Sequence, residues 1–232
     1  MEKIYHIPHG STLIPKKYLE EYSLSIEELK NEAEIMCDSR TLEMIVKNTE
    51  SNDKLIFPYS RIFCDVERFN SDEEIMNSVG MGVLYTKTHD QKVLRVNPSK
   101  KIIEDYYKRH HEVLTGIIAE KLQRGDVLVI DLHSYSKEPL EYELNKTMNR
   151  PEICIGLNER FDEKLVEKLI YTLKDFNYTY AINEPFSGCL IPSDYIDDKR
   201  VHGIMIEIRK DVYDTPKKFK KIKRMLQCLN EF

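Results

Sequence analysis

His9 and His133 are the residues of this chain best suited to hold a metal ion. His9 follows a short apolar run in Pro8-His9-Gly10-Ser11, where the glycine permits a tight turn and the close approach of a ligand. His133 lies just beyond the continuously apolar run Val127-Leu-Val-Ile130, in Asp131-Leu-His133-Ser134. A strand buried on both faces reads that way, and ligands of open α/β sheets gather beyond the carboxyl ends of such strands. Two neutral imidazoles make half of a zinc site. Catalytic zinc takes a third protein ligand, for which a carboxylate is acceptable, and keeps one position open. Position 12, three residues after His9, is a threonine and offers no carboxylate, so Asp38 in Cys37-Asp38-Ser39 is the preferred third ligand and Glu67 the alternative. Asp131 or a backbone carbonyl could orient the His133 ring.

Glu207 is an acid inside the nearly continuous apolar run Ile204-Met-Ile-Glu207-Ile. An unpaired buried carboxylate is costly, so it either pairs with Arg209 or another base, or it has a chemical role. Beside a metal it would act as general base, taking a proton from water and returning it to a leaving amine. Arg61 and Arg68 bracket the segment 61–68, and the guanidinium fork of Arg68 matches a carboxylate with two parallel hydrogen bonds. An ion pair with Asp65, Glu67 or Asp72 is its other use. His110 and His111 fall on a predicted helix about 100° apart, so one of them can reach the site while the other faces solvent. His6, His89 and His202 read as structural or surface residues.

The elements that must position these groups alternate along the chain. β-rich runs occur at 4–8, 54–57, 61–66, 127–132, 153–156, 178–182 and 203–208, and helical spacing at 25–47, 100–123, 163–175 and 216–229. That alternation predicts a single α/β domain over residues 1–232, a three-layer fold with a central, mostly parallel mixed sheet flanked by helices. No repeat or linker divides the 232 residues, and 41% apolar content is enough for a core. With 35 basic and 40 acidic side chains the net charge is −5, which disfavours a nucleic-acid-coating role. The basic run at 217–224 reads as the solvated face of a helix whose buried stripe is Phe219, Ile222, Met225, Leu226 and Leu229. No stretch approaches the roughly 20 apolar residues of a membrane span and the amino-terminal segment is unlike a signal peptide, so a cytoplasmic protein with no membrane and no nucleic-acid partner is expected. Five scattered cysteines, never in a CxxC arrangement, fit reduced thiols.

Taken in order, Pro8-His9-Gly10, Ser60-Arg61 with Asp65-Val-Glu-Arg-Phe69, Gly80-Met-Gly-Val-Leu-Tyr-Thr86, His110-His111, Asp131-Leu-His-Ser-Tyr135, Arg150-Pro-Glu-Ile-Cys-Ile-Gly156, Asn183-Glu-Pro-Phe-Ser-Gly188 and Met205-Ile-Glu-Ile-Arg209 resemble the N-formylglutamate amidohydrolase family over nearly the whole chain. The segments at His133, Glu207 and Arg68 are also similar to those of zinc carboxypeptidases, a wider group that includes aspartoacylase-like deacylases. The resemblance implies a phosphorylase/hydrolase-like, zinc carboxypeptidase-like fold and a zinc-dependent amidohydrolase. Its substrate would be a small N-acylated acidic amino acid, typically N-formyl-L-glutamate cleaved to formate and L-glutamate. It implies His9 and His133 as metal ligands, Glu207 as general base and Arg68 as carboxylate clamp; the carboxypeptidase-type HxxE pair is missing, which leaves Asp38 as the inferred third ligand, and Arg61, His111, Gly188 and Arg150 complete the expected substrate-binding residues. Glu67 stands where the wider group has asparagine, placing an acid beside the clamp that Arg61, Arg95 or Arg150 would have to offset for a second substrate carboxylate. The same residues would also suit a zinc carboxypeptidase or amidase on short peptides or cell-wall fragments, or a non-catalytic binding protein on this fold.

Overall fold

The computed structural model describes residues 1–45 and 53–229. Six strands, β1 (Glu2–Ile7), β2 (Lys54–Ile56), β3 (Val127–Tyr135), β4 (Ile153–Gly156), β5 (Tyr180–Ile182) and β6 (Val201–Arg209), form one sheet in the order β2-β1-β3-β6-β4-β5. All neighbours run parallel except β4 and β6, so the sheet is mixed and mostly parallel, as expected. Among the described residues five α-helices accompany it: α1 (Ile26–Met36), α2 (Thr41–Met44), α3 (Arg109–Lys121), α4 (Glu163–Asp175) and α5 (Pro216–Cys228).

Every residue of β3 is buried, yet its two faces differ, because successive side chains of a strand point to opposite sides. Leu128, Ile130 and Leu132 join Tyr5, Ile7, Ile204, Ile206 and Ile208 in a core closed by Leu169 of α4 and by Phe219, Ile222, Met225 and Leu226 of α5. On the other face Val127 and Val129 pack with Ile4, Val201 and Leu114 and Ile118 of α3. Further along that same face the residues become Asp131 and His133. Register places His6 beside Asp131 and Glu207 beside His133. One face of the sheet is therefore hydrocarbon under α3 and polar toward the carboxyl ends of its strands.

Local signals set the helix starts. Ser25 and Glu28 form a reciprocal capping box at α1, Asp162 accepts from the Leu165 amide at α4, and Thr215 caps α5 with Pro216 at its first position. The amphipathic reading of α5 holds, with Leu229 buried just beyond the helix.

Three expectations change. The helix predicted at 25–47 ends at Met36, because Cys37 turns extended and the Asp38 amide bonds the His9 carbonyl at 2.9 Å; α2 then starts after Arg40 in a left-handed conformation, and residues 46–47 lie outside the described residues. The run 61–66 is a buried turn rather than a strand. Phe63 and Cys64 bond back to the Ser60 carbonyl, and fully buried Arg95 donates to the carbonyls of Phe63 and Tyr85. An apolar run is hydrophobic for burial alone and does not specify extension. The helix predicted at 100–123 carries a π-helical segment, Ile103–Lys108, before α3.

Gly156 ends β4 where the carbonyl of Gly188 crosses it. A Cβ at position 156 would lie 2.2 Å from that oxygen and 2.4 Å from the Met205 methyl. Because backbone cannot yield cheaply, Gly156→Ala should cost about 1–3 kcal/mol through overpacking. Urea denaturation would check this, and a change inside the roughly 0.5 kcal/mol of a neutral surface substitution would contradict it.

Candidate metal and substrate site

The two imidazoles are set alike. His9 Nε2 donates to Asp65 Oδ1 at 2.8 Å, which leaves Nδ1 as the lone-pair nitrogen of the neutral ring. That Nδ1 is buried without a hydrogen-bond partner and faces Asp38 Oδ2 at 3.7 Å. His133 Nε2 lies 3.2 Å from Asp131 Oδ1 and 3.0 Å from Glu67 Oε2, while its Nδ1 lies 2.8 Å from the same Asp38 Oδ2. Each ring thus has a carboxylate behind it and a nitrogen turned toward Asp38. A carboxylate holding the far nitrogen of a histidine is the arrangement that fixes the tautomer of metal ligands. The donor set of two imidazoles and a carboxylate suits zinc, and the orphaned Nδ1 of His9 supplies an unsatisfied ligand atom, so the residues present fit such an ion.

A second layer lies beneath. Asp131 Oδ1 accepts from His6 Nδ1 at 2.8 Å and its Oδ2 from the Leu190 amide at 3.2 Å; His6 Nε2 meets His110 Nε2 at 2.8 Å. Asp65 accepts from His9, Arg61, the Tyr85 hydroxyl and the Glu67 amide.

The electrostatics follow from burial. Desolvation opposes ionisation of Asp65, but His9, Arg61 and Arg68 together hold its carboxyl well below the usual range. Burial opposes ionisation of Asp38 too, but the hydrogen bond with His133 Nδ1 and the two imidazoles close beside it hold its carboxyl low. Burial raises Glu207 to about 8 against the pull of His133, and its Oε2 has no hydrogen-bond partner. Burial and Asp131 raise Glu67. Burial drives His110 down to about 2, so its ring is neutral.

A cavity of about 610 Å³ opens over these groups. His9, Asp38, His133, Glu67, Glu207, Arg61, Arg68 and Gly188 line it, the last with φ +80°. The buried Nε of Arg68 has no hydrogen-bond partner among the described residues and sits 3.6 Å from Asp65. Two expected substrate residues do not line it. His111, partly exposed, donates to the Val66 carbonyl at 2.8 Å, and buried His110 faces His6, so neither histidine of the pair lines the cavity. Arg150 is buried, bonding Glu143 and the carbonyls of Ser136, Asn145 and Thr147.

Sequence reading passed over Asp65 and His6. His6 was detectable only through the register that sets it beside Asp131. Asp65 was visible as an Arg68 partner, but its bond to His9 spans 56 positions.

Asp65→Asn should destabilise by up to about 3–5 kcal/mol, since it leaves the partly buried guanidiniums of Arg61 and Arg68 facing a neutral amide. The folded carboxyl titrates below an unfolded one near 3.9, so the stability it supplies is present above that pH and is lost as pH falls. Urea midpoints of the two proteins should accordingly converge in acid, and a constant gap between pH 7 and 3 would show that the charge of Asp65 is not what stabilises the fold.

The family model for N-formylglutamate amidohydrolase matches residues 2–214. An N-formylglutamate amidohydrolase from Ralstonia eutropha JMP134 superposes with a TM-score of 0.81 at 19% identity, covering 99% of this chain and 91% of that one. A gene product of Agrobacterium tumefaciens superposes at 0.71, also at 19% identity, over 98% and 88% of the two chains. No curated protein matches in sequence.

Proposed function

Since the chain belongs to the N-formylglutamate amidohydrolase family, we propose that it is a zinc-dependent enzyme that cleaves the amide of an N-acylated amino acid, with N-formyl-L-glutamate the reference substrate. The observation that carries this reading is the convergence of His9 Nδ1 and His133 Nδ1 on Asp38 Oδ2, in a cavity that also holds the unpartnered carboxylate oxygen of Glu207. When bound by His9, Asp38 and His133, zinc supplies Lewis acidity for the carbonyl and for water.

The protein's own groups do the rest. Asp65 and Asp131 hold the far sides of the histidine rings, so the ligand nitrogens stay aimed without reorganisation. Glu207 accepts a proton from the water whose oxygen adds to the amide carbon. As the carbon–nitrogen bond breaks, it returns that proton to the leaving nitrogen, giving formate and a free amine from a formyl substrate. The Arg68 guanidinium, which lines the cavity with its Nε unpartnered among the described residues, binds the substrate carboxylate and sets the amide over the metal ligands. No helix among the described residues is long and apolar enough to cross a membrane.

Glu207→Gln preserves shape and removes the base. It should lower formate release from N-formyl amino acids by roughly 10²–10⁴-fold while retaining zinc. Arg68→Ala should act mainly through KM, by the loss of a charge-assisted pair. A glutamine variant with wild-type turnover removes Glu207 from the mechanism, and formate release by neither wild type nor variant removes the activity.

A further inference from the structure

Arg68 accounts for one substrate carboxylate, and an amino-acid side chain with an acid of its own needs a second cation in the same cavity. Arg61, Arg95 and Arg150 have the right charge for that place. Arg95 donates to the carbonyls of Tyr85 and Phe63 and Arg150 is bonded to Glu143, and neither lines the cavity. Arg61 does line it, but Asp65 takes its Nε and Nη2, and its Nη1 faces Asp38 Oδ1 at 4.0 Å. Acids of the protein therefore already offset its charge.

Lys210 is placed differently. It lines the cavity and is half-buried, and its Nζ donates to the Ile35 carbonyl at 3.3 Å. No acid pairs with it among the described residues. The Ile35 carbonyl belongs to the last turn of α1, where a helix leaves acceptors unsatisfied. One proton of the ammonium thus serves the helix end, and the other two remain for a ligand. A half-buried ammonium without a counter-charge is held at a cost that a carboxylate would relieve.

The chain also sets Lys210 beside the general base. Glu207 lies in β6 and Lys210 directly follows that strand, with Arg209 extended between them, a separation of roughly 10 Å along the backbone. The flexible four-carbon stem of a lysine lets its head cover much of that interval. A substrate side chain that runs on from an amide held at Glu207 can therefore meet it, and a cavity of about 610 Å³ has room for both ends of such a molecule.

We infer that Lys210 is the residue that reads the substrate side chain, its Nζ binding a side-chain carboxylate while Arg68 binds the other, so that the enzyme selects a dicarboxylic N-acyl amino acid over the corresponding side-chain amide. This rests on the amidohydrolase reading and assigns the group behind its side-chain specificity. A glutamine side chain in the same place would leave the ammonium without a counter-charge and replace an ionic hydrogen bond by a neutral one, which is enough to separate the two substrates tenfold or more.

The test is formate release by the zinc-loaded enzyme from N-formyl-L-glutamate and N-formyl-L-glutamine, which differ in side-chain charge and hardly in shape. The readout is the ratio of their kcat/KM values in wild type, Lys210→Gln and Lys210→Glu. Lys210→Gln keeps an N–H donor for the Ile35 carbonyl and removes the charge. The ratio cancels the amount of folded enzyme, so a variant of reduced stability still gives an answer. Wild type should favour glutamate by at least about tenfold. That preference should fall by about tenfold in Lys210→Gln, mainly through KM for glutamate, and should invert in Lys210→Glu. A residue that only caps α1 would change both substrates alike, so an unchanged ratio in the two variants overturns the inference and leaves the amidohydrolase standing. A wild-type ratio near one overturns it too. Formate from neither substrate overturns the amidohydrolase reading and this inference with it.

Discussion

A carboxylate with no access to water organises this site. Asp65 is fully buried, and a buried charge persists only with partners at close range. It has four: His9, Arg61, Tyr85 and the Glu67 amide, with Arg68 at 3.6 Å. The same bonds that stabilise the charge fix the tautomer of one candidate ligand and hold Arg61 inward, leaving Arg68 as the guanidinium open to a ligand. Asp131 does for His133 what Asp65 does for His9, and is in turn held by His6 and the Leu190 amide.

The sheet makes this compensation possible. Parallel neighbours β1, β3 and β6 bring His6, Asp131, His133 and Glu207 to one face at the carboxyl ends of their strands, where hydrocarbon has given way to polar side chains. The turn at 61–66 delivers Asp65, Glu67 and Arg68 from above, and the break after α1 delivers Asp38 through the bond of its amide to the His9 carbonyl. Acids from four separate parts of the chain, Asp38, Asp65 with Glu67, Asp131 and Glu207, therefore meet His9 and His133, a concentration of acidic groups that a divalent cation would neutralise.

Glu207 stood out because it interrupts an apolar run, which burial alone does not explain, His9 and His133 because each follows the end of one, and Asp38 because a two-histidine site needs an acid and position 12 offers none. The mostly parallel mixed sheet and the helices α4 and α5 were likewise visible in the period of their apolar residues. The turn at 61–66 was misread as a strand, since its side chains are apolar for the same reason as those of a strand. His111 and Arg150 had suitable chemistry, but bonds to the Val66 carbonyl and to Glu143 claim them. Such pairings connect residues through the third dimension, and sequence spacing carries no trace of them.

The central claim is that His9, Asp38 and His133 form one metal site. Its most direct test is zinc content by elemental analysis of chelator-free protein, comparing wild type with His133→Ala, Asp38→Ala and Glu67→Gln. The account predicts about one zinc per chain, lost in the first two variants and kept in the third. No zinc in wild type under any loading condition would contradict the site and leave a binding protein on this fold; zinc kept in Asp38→Ala and lost in Glu67→Gln would contradict the assignment of Asp38.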